Sequence, residues 1–113
     1  MRELIYLAAP FTHSEKSVVE YRMSVVNKIA ANLMASGEYV FSPLTHCYPL
    51  AQIAQLPGDW EFWEGYDRLM MTKCTKVMVI CMPGWKESIG VQAEIRLANE
   101  FGIPVEYIHP DAS

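Results

Sequence analysis

Asp67 and Glu94 are the residues best placed to do chemistry, because each interrupts the apolar face of a helix. At about 100° per residue, a helix starting at Asp59 gathers Trp60, Trp63, Tyr66, Met70, Met71 and Cys74 on one side. Asp67 falls in the middle of that face, while Glu61, Glu64, Arg68 and Thr72 take the polar side. A helix over Glu87 to Phe101 groups Gly90, Val91, Leu97, Ala98 and Phe101, with Glu94 at their centre. Gln92, Arg96, Asn99 and Glu100 take its wet side. Burying a carboxylate costs several kcal/mol unless it is paired, hydrogen-bonded or protonated. One reading of each acid is a buried ion pair or a cap to a neighbouring loop. The other is acid/base or nucleophilic work, whose usual signature is a raised or split carboxylate pKa. Two inward acids on helices flanking one strand favour the second reading.

Three further residues bear on that chemistry. Ser88 lies six residues before Glu94, at the start of the same helix, with Gly90 just beyond it. A helix start with exposed amides and a hydroxyl is an anion site, although on spacing alone Ser88 suits a cap of its helix better. A cap can still meet a phosphate, so the two roles are compatible. Tyr6 sits in an apolar run, where its hydroxyl needs a partner: Glu94 or a backbone carbonyl. The aromatic run Asp59-Trp60-Glu61-Phe62-Trp63 is suited either to core packing or to stacking on a nucleobase. Lys86 could meet a phosphate, but a lone loop lysine is usually just solvated, and His46 beside Cys47 suggests a nucleophile pair only superficially, since adjacent residues rarely face each other.

The elements that must position these residues follow from the hydrophobic pattern. Leu4 to Ala9, ended by Pro10, reads as a buried strand, and Glu38 to Ser42, closed by Pro43, as a second. Between them, Val19, Met23, Val26, Ala30 and Leu33 recur at spacings of 4, 3, 4 and 3, an amphipathic helix from Ser14 to Ser36 with Gly37 as its stop. Leu44 to Gly58 reads as an irregular stretch holding a short helix around Leu50 to Gln55. The Asp59 helix runs to Cys74 with Asp59 as its N-cap. Lys76 to Met82 is a third strand, and Ile103 to Ile108 is a fourth, after Gly102 closes the last helix. Apolar strands alternating with helices predict an α/β fold, a parallel sheet covered on both faces. Right-handed crossovers favour a flavodoxin-like (Rossmann-like) doubly wound order, 2-1-3-4. Ligands then sit beyond the carboxyl ends of the strands at the switch point, in the loops after Ala9 and after Met82.

Composition narrows the function classes. The 113 residues match a single domain over 1–113; 51% are hydrophobic and 19% charged, so a packed core is expected. The net charge of −4 and the absence of a polybasic run argue against nucleic acid as a partner. The first apolar run is about six residues, well under the ~20 of a membrane span. Three dispersed cysteines and three dispersed histidines predict neither disulfides nor a metal site. A reduced, cytoplasmic protein without cofactor is the simplest expectation. Seven methionines suit flexible core filling or an oligomer surface. There is no G-x-G-x-x-G after the first strand, no Walker lysine and no G-x-S-x-G elbow. Ala8-Ala9-Pro10 and Met82-Pro83 stand where a receiver-type phosphorylation domain would carry its aspartates.

Tyr6-Leu7-Ala8-Ala9-Pro10-Phe11 resembles the first-strand motif of the nucleoside 2-deoxyribosyltransferases. Tyr66-Asp67, followed by the Lys76 to Met82 strand, resembles their aspartate-bearing helix and third strand. Ser88-Ile89-Gly90-Val91-Gln92-Ala93-Glu94-Ile95 is similar to the nucleophile segment of the related nucleoside 5'-monophosphate N-glycosidases. The whole chain resembles a small DUF1937-like branch of this superfamily, marked by Leu56-Pro57-Gly58-Asp59-Trp60-Glu61-Phe62-Trp63. The resemblance implies cleavage or transfer of an N-glycosidic bond through a covalent glycosyl-enzyme. Glu94 would attack C1', Tyr6 would orient and tune it, and Asp67 would bind or protonate the departing base. Ser88 and Gly90 would hold a 5'-phosphate, and Ala8, Pro10 and Phe11 would contact substrate. It also implies a homo-oligomer, a dimer or tetramer, whose pockets are completed by a neighbouring subunit.

The sequence departs from this pattern in two places. Pro10-Phe11-Thr12-His13 follows the first strand instead of the glycosidases' glycine-rich phosphate loop. Met82-Pro83-Gly84-Trp85 offers none of the acidic residues that transferases use for the base, so the segment from Thr45 to Trp63 is expected to rebuild the base pocket. The alternative from a different class is a non-catalytic nucleotide-binding module on the same fold. That module would not need a desolvated nucleophile.

Overall fold

The computed structural model describes residues 3–111. Eight elements follow in chain order: β1 (Leu4–Ala8), α1 (Lys16–Ala35), β2 (Tyr39–Phe41), α2 (Pro43–Ala54), α3 (Trp60–Met71), β3 (Lys76–Ile80), α4 (Ile89–Phe101) and β4 (Val105–Ile108). The four strands form one parallel sheet in the order β2-β1-β3-β4, as the sequence predicts. Tyr6 lies level with Phe41 on one side and Val77 on the other.

The period of two along β1 divides the core. Ile5, Leu7 and Ala9 join Val26, Ile29 and Ala30 of α1, with Met78, Ile80 and Met82, on one face of the sheet. Tyr6 and Ala8 join Met71 of α3, Val77, Val79, and Val91, Leu97 and Ala98 of α4 on the other. Full burial of each such aliphatic side chain stabilises by about 1.5–3 kcal/mol. Because α1 leaves β1 toward β2 while α4 leaves β3 toward β4, the crossovers diverge between β1 and β3. The two loops predicted at the switch point therefore meet there.

Local chemistry fixes the helix ends. The side chains of Asp59 and Ser88 accept from the backbone N–H of Phe62 and of Val91, respectively. Gly37 and Gly102 take positive φ just past α1 and α4, a conformation that suits glycine.

The segment after β2 corrects the sequence reading. It is not an irregular stretch with a short helix but a full helix of 12 residues, α2. Pro43 does not merely close the strand. It occupies the first helical turn, where its missing N–H goes unmissed, and the Ser42 side chain accepts from Thr45 N. Pro49 sits inside the helix and forfeits only one backbone bond. Two assignments of face also change. Tyr66 is exposed rather than buried on α3, and Gln92 is half-buried, its side-chain amide donating to the carbonyl of Trp85.

Candidate active site

At the carboxyl ends of β1 and β3 lies a cleft of about 1130 Å³. Asp67 from α3 and Glu94 from α4 both line it, and both are buried. The helices deliver them because each lies on the face its helix turns to the sheet. Asp67 is one of two buried residues of α3, with Met71 one turn later, and Glu94 lies between Val91 and Leu97.

The geometry removes the first reading of these acids, an ion pair or a cap. Among the described residues, neither carboxylate takes part in an ion pair. The pairs present join Arg68 to Glu64 and Glu100, Lys76 to Glu3 and Glu106, and His109 to Asp111. Neither acid caps a helix, a task that falls to Ser42, Asp59 and Ser88. The partner of Glu94 is Tyr6, whose hydroxyl donates to Glu94 Oε2 at 2.5 Å. Tyr6 is wholly buried and stands behind Glu94 rather than on the cleft wall.

Burial sets the electrostatics. Desolvation raises Glu94 to about 8; the Tyr6 hydrogen bond opposes this, and the Asp67 charge adds to it. Desolvation likewise raises Asp67 to about 6, with Tyr6 again opposing. Tyr6 is pushed far above the usual phenol range, by burial first and then by the charges of Glu94 and Asp67. It therefore stays protonated and remains a donor. Two coupled carboxylates with separated pKa values, one held by a phenol, can divide the roles of nucleophile and acid.

The remaining predicted residues fall into place around them. Ser88 caps α4, and its hydroxyl accepts from Val91 N at 3.1 Å. It also lines the cleft, as does Gly90, so the capping role holds and the anion role stays open geometrically. The backbone N–H groups of Ile89 and Gly90, in the first turn of α4, have no intrahelical acceptor. Ala8 and Phe11 line the cleft, whereas Pro10 is fully buried behind it. Lys86 is exposed, over the ring of Trp85.

The segment from Thr45 to Trp63 forms one side of the cleft. Tyr48 of α2 packs edge-on against Phe11, with ring centroids 5.2 Å apart, and Trp60 and Trp63 of α3 line the same wall. The loop between the helices is tied down where Trp63 Nε1 donates to the carbonyl of Pro57 at 2.7 Å. His46 and Cys47 point apart: His46 is exposed and stacked near Tyr66, while the Cys47 thiol is buried and faces the cleft. Burial, followed by the Asp67 charge, pushes that thiol up. All three cysteines are free. Among the described residues, no group of three His, Cys, Asp or Glu could hold a metal ion. Nor is any described helix long and apolar enough to cross a membrane.

Sequence reasoning missed Arg22, a buried guanidinium that also lines the cleft. The signal was present, because Arg22 is three residues after Val19 and four before Val26, within the apolar stripe of α1.

Fold and site together define a flavodoxin-like α/β protein with two uncompensated carboxylates at its switch point. The chain belongs to the family described as Domain of unknown function (DUF1937), whose model matches residues 3–109. Comparison with curated proteins finds no match.

Proposed function

We propose that this protein cleaves or transfers the N-glycosidic bond of a nucleoside or a nucleoside 5'-monophosphate, as a member of the nucleoside 2-deoxyribosyltransferase-like superfamily. The observation that carries this reading is Glu94: buried, without a cation, held by the Tyr6 hydroxyl, and facing the same cleft as Asp67. In the first step a Glu94 oxygen bonds to C1' while the C1'–N bond breaks. Its electron pair leaves with the base, which takes a proton from Asp67. In the second step Asp67 takes a proton from water or from the ring N–H of a second base as that nucleophile attacks C1', and the ester bond breaks with its electron pair returning to Glu94. This is the double displacement of retaining glycosidases.

Tyr6 acts here as a positioning residue, since it touches Glu94 and not the cleft. Its hydrogen bond opposes the rise of Glu94 and so favours the tautomer that attacks, with Glu94 ionised and the shared proton on Asp67. The aromatic side chains of Phe11, Tyr48, Trp60 and Trp63 give a planar base apolar surfaces to lie against. A binding module would have no use for the cost of burying Glu94 unpaired. The test is to incubate the protein with pooled nucleosides and nucleoside monophosphates and to look for free base by chromatography. Release of a base supports the reading, and no release from any member of the pool defeats it.

A further inference from the structure

The side chain of Arg22 leaves the middle of α1 and ends between the loops that follow β1 and β3. It is 9% exposed, and Nη1 donates to the carbonyl of Thr12 at 3.0 Å while Nη2 donates to that of Pro83 at 3.2 Å. Both partners are neutral. No carboxylate among the described residues pairs with it, so a full positive charge is buried without a counterion. Such a charge is costly, and a purely structural tie between two carbonyls could be made by a neutral donor.

The neighbouring loop is built around the guanidinium. Gly84 has φ +97°, and a Cβ there would stand 2.5 Å from Nη2. Glycine is thus needed both for the turn and for the approach of Arg22. Arg22 and Gly84 line the same cleft as Ser88, Gly90 and Glu94, and Arg22 is the one lysine or arginine on its wall among the described residues. A guanidinium has five N–H donors in a planar fork, and the two carbonyls take one each from Nη1 and Nη2. The others suit two oxygens of one anion.

We propose that Arg22 is a specificity-determining residue that selects substrates bearing a phosphate monoester on the sugar. A phosphate fits better than a carboxylate because its third oxygen remains for the N–H groups at the start of α4 and the Ser88 hydroxyl. The assignment rests on the N-glycosidic reading of the site. It supplies a cation to a cleft whose carboxylates would otherwise repel a phosphorylated substrate.

The test compares base release from a nucleoside 5'-monophosphate and from the matching nucleoside, in wild type, Arg22→Gln and Arg22→Lys. Wild type should prefer the monophosphate by ~10-fold or more, the scale of one or two hydrogen bonds to a charged group. Arg22→Gln should erase most of that preference. Arg22→Lys, which keeps the charge but loses the fork, should reduce it. A mere strap between loops would slow both substrates alike, so a preference unchanged in both variants overturns the proposal, as do equal wild-type rates. Should Arg22→Gln not fold, Arg22→Lys and a thermal titration with inorganic phosphate decide. Phosphate should raise the wild-type Tm more than sodium chloride at equal ionic strength, and raise that of Arg22→Lys less. No phosphate-specific rise in the wild type overturns the proposal. Failure of the wild type to release base from either substrate would defeat the proposed reaction alone, because the phosphate titration reads Arg22 independently.

Discussion

Three side chains carry the account at the scale of single residues, and their proton balance is its most testable property. With Glu94 raised to about 8 and Asp67 to about 6, the pair holds one proton between those values. By these values that proton rests mainly on Glu94, and double displacement draws on the tautomer with Glu94 ionised and the proton on Asp67. Base release is therefore expected to follow a bell, falling below about pH 6 and above about pH 8. Asp67→Asn should lower the rate by ~10²-fold or more and remove the alkaline limb, without loss of thermal stability. A flat profile from pH 5 to 9, measured by chromatography of free base, would contradict this proton count. Stability carries the opposite burden. Native Glu94 keeps its proton at pH values where the unfolded chain, at its ordinary 4.5, has lost it. Its contribution is present below about pH 4.5 and is lost as pH rises toward 8. Glu94→Gln should flatten that fall and be the more stable protein at pH 8, by several kcal/mol in denaturant melts. Both carboxylates were legible in the sequence because solvated positions lay one residue away. Arg22 obeys the same helical argument and was missed because an arginine's long stem makes its place on an apolar stripe unremarked.

The element that joins chemistry to fold is α4, whose first turn faces the cleft and whose middle carries Glu94. Ser88→Ala removes the cap and should cost about 1 kcal/mol of stability. If the hydroxyl also meets phosphate, the same variant loses much of its monophosphate preference. A change in Tm with the preference intact would leave Ser88 as a cap only. The strands, α1, α3 and α4 were readable from their apolar runs and periods, and all but α3 end at or near a glycine or proline. α2 was not readable because its two prolines, Pro43 and Pro49, read as breakers. Ser42 and Pro43 form a helix start, which in sequence looks the same as a strand end. Sequence periodicity also placed Tyr66 inward. It is exposed because α3 meets the sheet over a narrow stripe, with only Asp67 and Met71 fully covered.

At the scale of the whole molecule, the sheet order followed from right-handed crossovers, and it locates the cleft without reference to any side chain. One chain leaves several large apolar side chains of the helices that build the cleft uncovered. Leu50 and Ile53 of α2, Phe62 and Leu69 of α3, and Ile89 of α4 are exposed, Ile53 at 82% and Ile89 at 74%. Of these, Ile89 lines the cleft, and the others are exposed on helices that each contribute to its wall; they argue for a second copy of the chain, and a dimer or a tetramer is the expected state. Light scattering at micromolar concentration checks it, and a fully active preparation with a mass near 12.9 kDa would refute a shared site. The central claim remains that Glu94 forms a bond to the sugar, and the most direct test is the rate of free-base release by wild type and Glu94→Gln, side by side. The amide keeps the shape of the side chain but cannot form the ester. The account predicts release by the wild type and none by a variant with an unchanged circular dichroism spectrum, whereas near-normal turnover by Glu94→Gln would contradict it.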